Sequence, residues 1–154
     1  MTKAPEPQFD DLYREVIIDH YRKPRHRGTL PGAPIHVEGM NPVCGDEIRL
    51  DLAMDDGHIG AIAFSGQGCS ISQASASMLT ERVQGKAVAE VNEVIRHFRD
   101  MLTAGAPPAD DLGDLEALQG VANYPVRVKC ALLSWNVLQE GLNQASKRLE
   151  GERT

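Results

Sequence analysis

The hydrophobic period of this chain changes once, near residue 65, and that change constrains the fold more than any other feature. Before it, "DEIRLDLAM" alternates Ile48, Leu50, Leu52 and Met54 with polar neighbours, the pattern of a half-buried strand. "DDG" at 55–57 is a hairpin turn, "HIGAIAFSG" reads as the returning strand, and "APIHVEGM" (33–40) as an edge strand. After residue 65 the period becomes about 3.6. "SISQASASMLTERVQG" then predicts a helix facing inward with Ile71, Ala74, Met78 and Leu79 and ending near Gly85. "AVAEVNEVIRHFRDML" predicts a second, through Val88, Val91, Ile95, Phe98 and Leu102. Residues 103–111 read as a loop and "LGDLEALQG" as a short helix. "YPVRVKCALLSWNVLQEGL" predicts a long helix with Pro125 in its first turn and a stripe of Val128, Leu132, Trp135, Leu138 and Leu142. At the front, "QFDDLYREVIIDHYRKP" puts Phe9, Leu12, Val16, Ile17 and Tyr21 on one helical face, stopped by Pro24. Strands followed by helices mean an α+β fold: a small antiparallel three-stranded sheet with helices packed on one face.

At 154 residues and 42% hydrophobic, the chain reads as a single domain over 1–154, with flexible ends at 1–8 and 143–154. Its 22 acidic against 16 basic residues give a net charge of −6, which argues against a general nucleic-acid binder. No apolar run approaches the ~20 residues of a membrane span, and the polar lead "MTKAPEPQ" is not a signal-peptide pattern. The expectation is a soluble, cytoplasmic protein.

Three cysteines are too few and odd in number for a secreted disulfide framework. They are far apart, with 24 residues between Cys44 and Cys69 and 60 between Cys69 and Cys130. With no C-x-x-C pair, any shared site must be assembled by folding. Cys44 falls in the turn before the second strand, Cys69 at a helix start where the dipole favours a thiolate, and Cys130 early in the last helix, off its main stripe. Each is at the edge of an element. Three buried small thiols would satisfy packing alone; three thiolates would suit zinc or an iron–sulfur centre and need a fourth ligand for a tetrahedron. Lys129 is a poor ligand because its amine holds a proton, with a free pKa of ~10.4. His20, His26, His36, His58 and His97 have no cysteine neighbour and read as surface or helix-face residues. Asp46, two residues after Cys44, is the best fourth donor. Three thiolates and a carboxylate around a zinc dication leave a net charge of about −2, which Arg127 and Lys129 could offset.

"NPVCGDEIRL", "GQGCSISQASASMLTE", "DLEALQGV" and "YPVRVKCALLSW", with "DLYREVIIDHYRKPRHRG" at the front, closely resemble the SufU proteins, the zinc-binding branch of the IscU-like superfamily. The resemblance covers roughly residues 9–142, with the motifs in the same order; the proline-containing lead and the charged C-terminus have no family counterpart. The superfamily's scaffold branch carries a His-Cys pair at its third cysteine, whereas this chain has Lys129-Cys130. It also has the long segment between the second and third cysteines (about 85–125) that SufU proteins have.

The resemblance implies an IscU-like fold and one zinc ion held by Cys44, Asp46, Cys69 and Cys130. It implies a sulfurtransferase that stimulates a PLP-dependent cysteine desulfurase of the SufS type, takes persulfide sulfur on Cys44 and feeds downstream iron–sulfur assembly proteins. Arg127 is implicated in holding the aspartate and assisting exchange. The alternative is an iron–sulfur cluster assembly scaffold of the IscU type on the same cysteines.

Overall fold

The computed structural model describes residues 11–153, with side chains described from 13 to 147. Strands β1 (Ile35–Asn41), β2 (Asp46–Asp55) and β3 (His58–Gln67) form one antiparallel sheet in the order β1-β2-β3. The β2–β3 hairpin turns on Asp56 (φ 50) and Gly57 (φ 78), the left-handed pair that a tight two-residue turn demands. Register sets Ile35 against Leu52 and Ile62, and Val37 against Leu50 and Phe64. All six are buried on the inner face, while His36, Glu38, Glu47 and Arg49 line the outer one and are exposed. A register shift between Ala53 and Met54 breaks the alternation there, so Met54 is half-buried rather than in the core. Residues 26–28 cover the free edge of β3: Gly28 N–H donates to the Phe64 carbonyl (2.8 Å) and Phe64 N–H to that of His26 (3.0 Å).

Helices α1 (Asp11–Arg22), α2 (Ser70–Val83), α3 (Val88–Thr103) and α4 (Pro125–Arg153) complete the fold, with α2 and α4 against the sheet. The segment Asp110–Asn123 is 3₁₀ rather than the expected short α-helix, and Gly113 (φ 55, ψ −129) breaks it. Among the described residues no helix is long and apolar enough to cross a membrane.

Helix α2 is more deeply set than an inward-facing stripe requires. Every residue from 71 to 80 is buried, so the helix runs through the middle of the molecule. Small side chains permit that, provided each hydroxyl finds a partner. Ser75 Oγ donates to the Ala131 carbonyl (2.7 Å) and accepts from Trp135 Nε1–H (3.0 Å). Thr80 Oγ1 is bonded to the Arg25 carbonyl (3.1 Å) and the Ser77 carbonyl (2.9 Å). Ser75→Ala would orphan the Trp135 indole N–H, buried against Phe98 with ring centroids 4.7 Å apart. A loss of about 1–3 kcal/mol is expected, read as a lower urea midpoint at unchanged slope.

Helix α1 corrects two expectations. Tyr21 is 49% exposed, and His20 takes the inward position beside Ile17. His20 is therefore neither a surface nor an exposed helix-face residue: its imidazole is buried between Ser77 Oγ and Asp114 Oδ2, 2.8 Å from each. Three-residue spacing from the buried Ile17 puts His20, not Tyr21, on the core side, and the buried ring is tolerated because both nitrogens are bonded. Phe9 and the side chain of Leu12 lie outside the described residues. Helix α4 continues through Arg153, past Leu142 where the apolar stripe stops, and Ala145 is still buried. Of its expected stripe Val128 and Leu132 are only half-buried; Cys130, Ala131 and Leu133 are buried instead, because α4 packs on the sheet and on α2 at once.

Candidate metal centre

One end of the sheet gathers three chain segments that are distant in sequence. The β1–β2 turn carries Cys44 and delivers Asp46 as the first residue of β2. The β3–α2 junction carries Cys69 as the residue before α2. The early turns of α4 carry Arg127 and Cys130.

Asn41 shapes the first turn. Its side-chain oxygen accepts from Val43 N–H (3.2 Å) and its carbonyl from Gly45 N–H (2.8 Å), a local Asx arrangement that competes with continued strand. Gly45 closes the turn at φ 70, where a side chain is disfavoured. Cys44 is left half-buried and Val43 64% exposed, while Asn41 Nδ2 lies 3.9 Å from Cys130 Sγ.

Asp46 is fully buried. Its Oδ1 accepts from the Cys69 backbone N–H at 2.8 Å, one of the open donors at the start of α2. Its Oδ2 is 4.0 Å from Cys69 Sγ. Such close approach needs Gly68: a Cβ there would stand 2.4 Å from Asp46 Oδ1 and 2.6 Å from Ser72 Oγ. Arg27 braces the same junction by donating to the Gly66 carbonyl (2.9 Å) and to Gln73 Oε1 (2.7 Å).

Cys44, Asp46 and Cys130 offer ligand atoms all within 4.8 Å of one another. Cys130 Sγ is 3.0 Å from Cys44 Sγ. Cys69 falls outside that mutually close set but faces Asp46 from the side, so the four residues expected to share a site do converge on one end of the fold. The Cys69 thiol is lowered to about 6 by the hydrogen bond from Cys130, opposed by burial and helped by the Ser72 and Ile71 backbone N–H groups. The Cys130 thiol is pushed up by the same contact, by burial and by Cys44. Crowded sulfurs beside a buried carboxylate compete for protons unless a cation lies among them. Arg127 is buried and Lys129 is exposed, so Lys129 does not enter the cluster.

His20, Glu81 and Asp114 form a second close group, with ligand atoms within 4.8 Å of one another. There Arg25 already supplies the positive charge, its Nε 3.3 Å from Glu81 Oε2. Asn41, Gly68 and Arg27 are the site-building residues that sequence reasoning missed. The Asn-Pro pair ahead of Cys44 and the paired glycines of "GQG" were signals available for the first two.

Three cysteines and an aspartate thus converge at the end of a three-stranded antiparallel sheet, and the family model for the NifU-like N terminal domain matches residues 12–131. The chain belongs to that family. It is 46% identical over 135 residues to the zinc-dependent sulfurtransferase SufU of Bacillus subtilis, covering 87% of this chain and 91% of that one. It is 41% identical over 140 residues to the iron–sulfur cluster assembly scaffold protein IscU of Streptococcus pyogenes, covering 90% and 87%. Among solved structures, a candidate cluster assembly scaffold protein for the SUF system from Fervidobacterium islandicum superposes with a TM-score of 0.78 at 35% identity, over 83% of this chain and 94% of that one.

Proposed function

We propose that this chain is a cytoplasmic zinc-dependent sulfurtransferase. In this reading it takes persulfide sulfur on Cys44 from a PLP-dependent cysteine desulfurase of the SufS type and supplies iron–sulfur cluster assembly. The observation that carries the reading is the convergence of Cys44, Asp46 and Cys130 within 4.8 Å, with Cys69 Sγ 4.0 Å from Asp46.

The donor set fits zinc: three thiols and one buried carboxylate supply four protein ligands of the types zinc prefers, and Asp46 has an oxygen turned toward the sulfurs. Cys44, Asp46, Cys69 and Cys130 would hold the ion, which keeps its sulfur ligands deprotonated at neutral pH. The remaining chemistry belongs to the chain. Cys44 rides on the Gly45 turn and is half-exposed, whereas Cys69 begins a helix and Cys130 lies inside one. Cys44 is thus the thiol that moves at least conformational cost. Its Sγ attacks the outer sulfur of the donor persulfide, the donor cysteine leaves as thiolate, and the sulfur stays on Cys44. Met40 (61% exposed), Val43 (64%) and Val126 (36%) come from the segments that carry Cys44 and Cys130. Large exposed apolar side chains on those segments suit a protein partner better than a small-molecule donor.

The scaffold reading is favoured by the Streptococcus pyogenes relative and opposed by the exposure of Lys129, which leaves no histidine-like donor beside Cys130. Metal analysis separates the two. Purified protein is expected to be colourless with about one zinc per chain and to stimulate desulfurase turnover; stoichiometric iron and sulfide would overturn the zinc reading.

Arg127 and Lys129 make a second test. Arg127 is buried near the site and offers a planar fork to a carboxylate, while Lys129 points to solvent. Arg127→Ala is expected to impair desulfurase stimulation more than zinc retention, and Lys129→Ala to leave both near wild type. Equal loss of both properties in Arg127→Ala would make Arg127 a structural support only.

A further inference from the structure

Cys130 has a position that zinc ligation alone does not require. It is fully buried, inside α4, with its Sγ 3.0 Å from Cys44 Sγ. Cys44 is half-exposed, so sulfur delivered from a partner arrives on its open side and leaves Cys130 on the buried side. That is the arrangement for displacement at the Cys44 sulfur, with the nucleophile behind and the leaving sulfur in front. A disulfide needs sulfurs about 2.05 Å apart, so the two atoms must close by about 1 Å, and the Gly45 turn supplies the movement. Cys69, though hydrogen-bonded to Cys130, is less well placed to reach Cys44, since it stands outside the mutually close set and faces Asp46.

We propose that Cys130 is a resolving thiol, able to discharge a Cys44 persulfide as hydrogen sulfide whenever its sulfur is not engaged by a metal ion. The inference rests on the reading of Cys44 as acceptor. In the step, a bond forms between Cys130 Sγ and Cys44 Sγ while the bond from Cys44 Sγ to the terminal sulfur breaks. The terminal sulfur leaves with the bonding pair and takes the Cys130 proton. It is reduced from sulfane to sulfide, and the two cysteines are oxidised together to one disulfide. No external oxidant enters. Ligation of Cys130 therefore does more than complete a tetrahedron: it withholds the one sulfur that would waste the cargo. A chain that has lost its metal converts stored sulfur into free sulfide and locks itself as a disulfide.

The test uses the full chain, as isolated and after chelator treatment, loaded anaerobically with inorganic polysulfide and desalted. Released sulfide is measured, intact mass is recorded, and peptides are mapped without reduction. Chelator-treated wild type is expected to release stoichiometric sulfide, lose two hydrogens of mass and yield a peptide pair joined through Cys44 and Cys130. Metal-bearing wild type is expected to keep the added sulfur. In chelator-treated Cys130→Ser the sulfur should remain on Cys44. Retention of the added sulfur by chelator-treated wild type, a Cys44–Cys69 disulfide, release from Cys130→Ser, or equal release with and without metal would each overturn the proposal. Failure of polysulfide to load Cys44 would overturn it too. The wild-type peptide map stands even where a variant folds poorly. If polysulfide loads Cys44 and discharge follows but a desulfurase never loads it, the acceptor reading alone fails. If both load it without discharge, this inference alone fails.

Discussion

In a Cys44→Ala variant, desulfurase turnover with free cysteine is expected to fall to the rate of the desulfurase alone. On the proposed reading, Cys69 and Cys130 do not take over as acceptor. Cys130 is buried, and Cys69 begins α2 with its backbone N–H committed to Asp46 at 2.8 Å. The substitution removes a small half-buried side chain from a turn, so the fold should survive. Of the proposed ligands Asp46, Cys69 and Cys130 remain, and partial zinc retention is expected beside complete loss of stimulation. Stimulation by Cys44→Ala above the desulfurase baseline would mean that zinc merely staples the fold, or that sulfur enters elsewhere.

The second large effect is expected from a residue with no functional group. Gly68→Ala places a methyl 2.4 Å from Asp46 Oδ1 and 2.6 Å from Ser72 Oγ. Neither neighbour can yield cheaply. Asp46 begins β2, paired with Asn41, and its Oδ1 holds the Cys69 N–H; Ser72 Oγ is bonded to the Cys69 carbonyl at 3.1 Å. The carboxylate must rotate, losing the contact that aims it at the sulfurs. Zinc affinity is expected to drop by about 10–100-fold, the usual cost of losing a group that orients a ligand, while far-UV circular dichroism keeps the wild-type shape. Competition against a chromogenic chelator measures it. Wild-type affinity in Gly68→Ala would show that Asp46 need not keep this orientation to hold metal.

Much of the fold is legible because binary pattern and turn chemistry agree. Ile48, Leu50 and Leu52 alternate, Asp56-Gly57 can only turn, and the switch to helical spacing after residue 65 separates sheet from helices. Helix α2 resists such reading because Ser72, Ser75, Ser77 and Thr80 look like a wet face. The hydroxyls of Ser75, Ser77 and Thr80 are satisfied by partners from α1, α4 and residues 25–26, and no local pattern announces those. His20 is concealed for the same reason: its two partners lie 57 and 94 residues away. The 3₁₀ segment reads as a regular helix from sequence because its apolar spacing suits either, and only the backbone at Gly113 decides.

At the site, residue types carried the information and distances did not. Cys44, Asp46, Cys69 and Cys130 could be nominated from sulfur and carboxylate chemistry, and the three chain segments that carry them do meet. What spacing could not supply was the order of approach. Cys130 lies on the buried side of Cys44, Cys69 stands beside Asp46, and Lys129 faces solvent although it adjoins Cys130 in sequence. Arg127 and Lys129, equivalent as charges, are separated by burial alone.

Peptide mapping under turnover tests the central claim most directly. The zinc-bearing chain is incubated with the desulfurase and free cysteine, quenched by alkylation, and digested without reduction. One sulfur atom of added mass on the peptide containing Cys44, with the Cys69 and Cys130 peptides unmodified, is the predicted result. Added sulfur found mainly on Cys69 or Cys130, or no added sulfur while desulfurase turnover is stimulated, would contradict it.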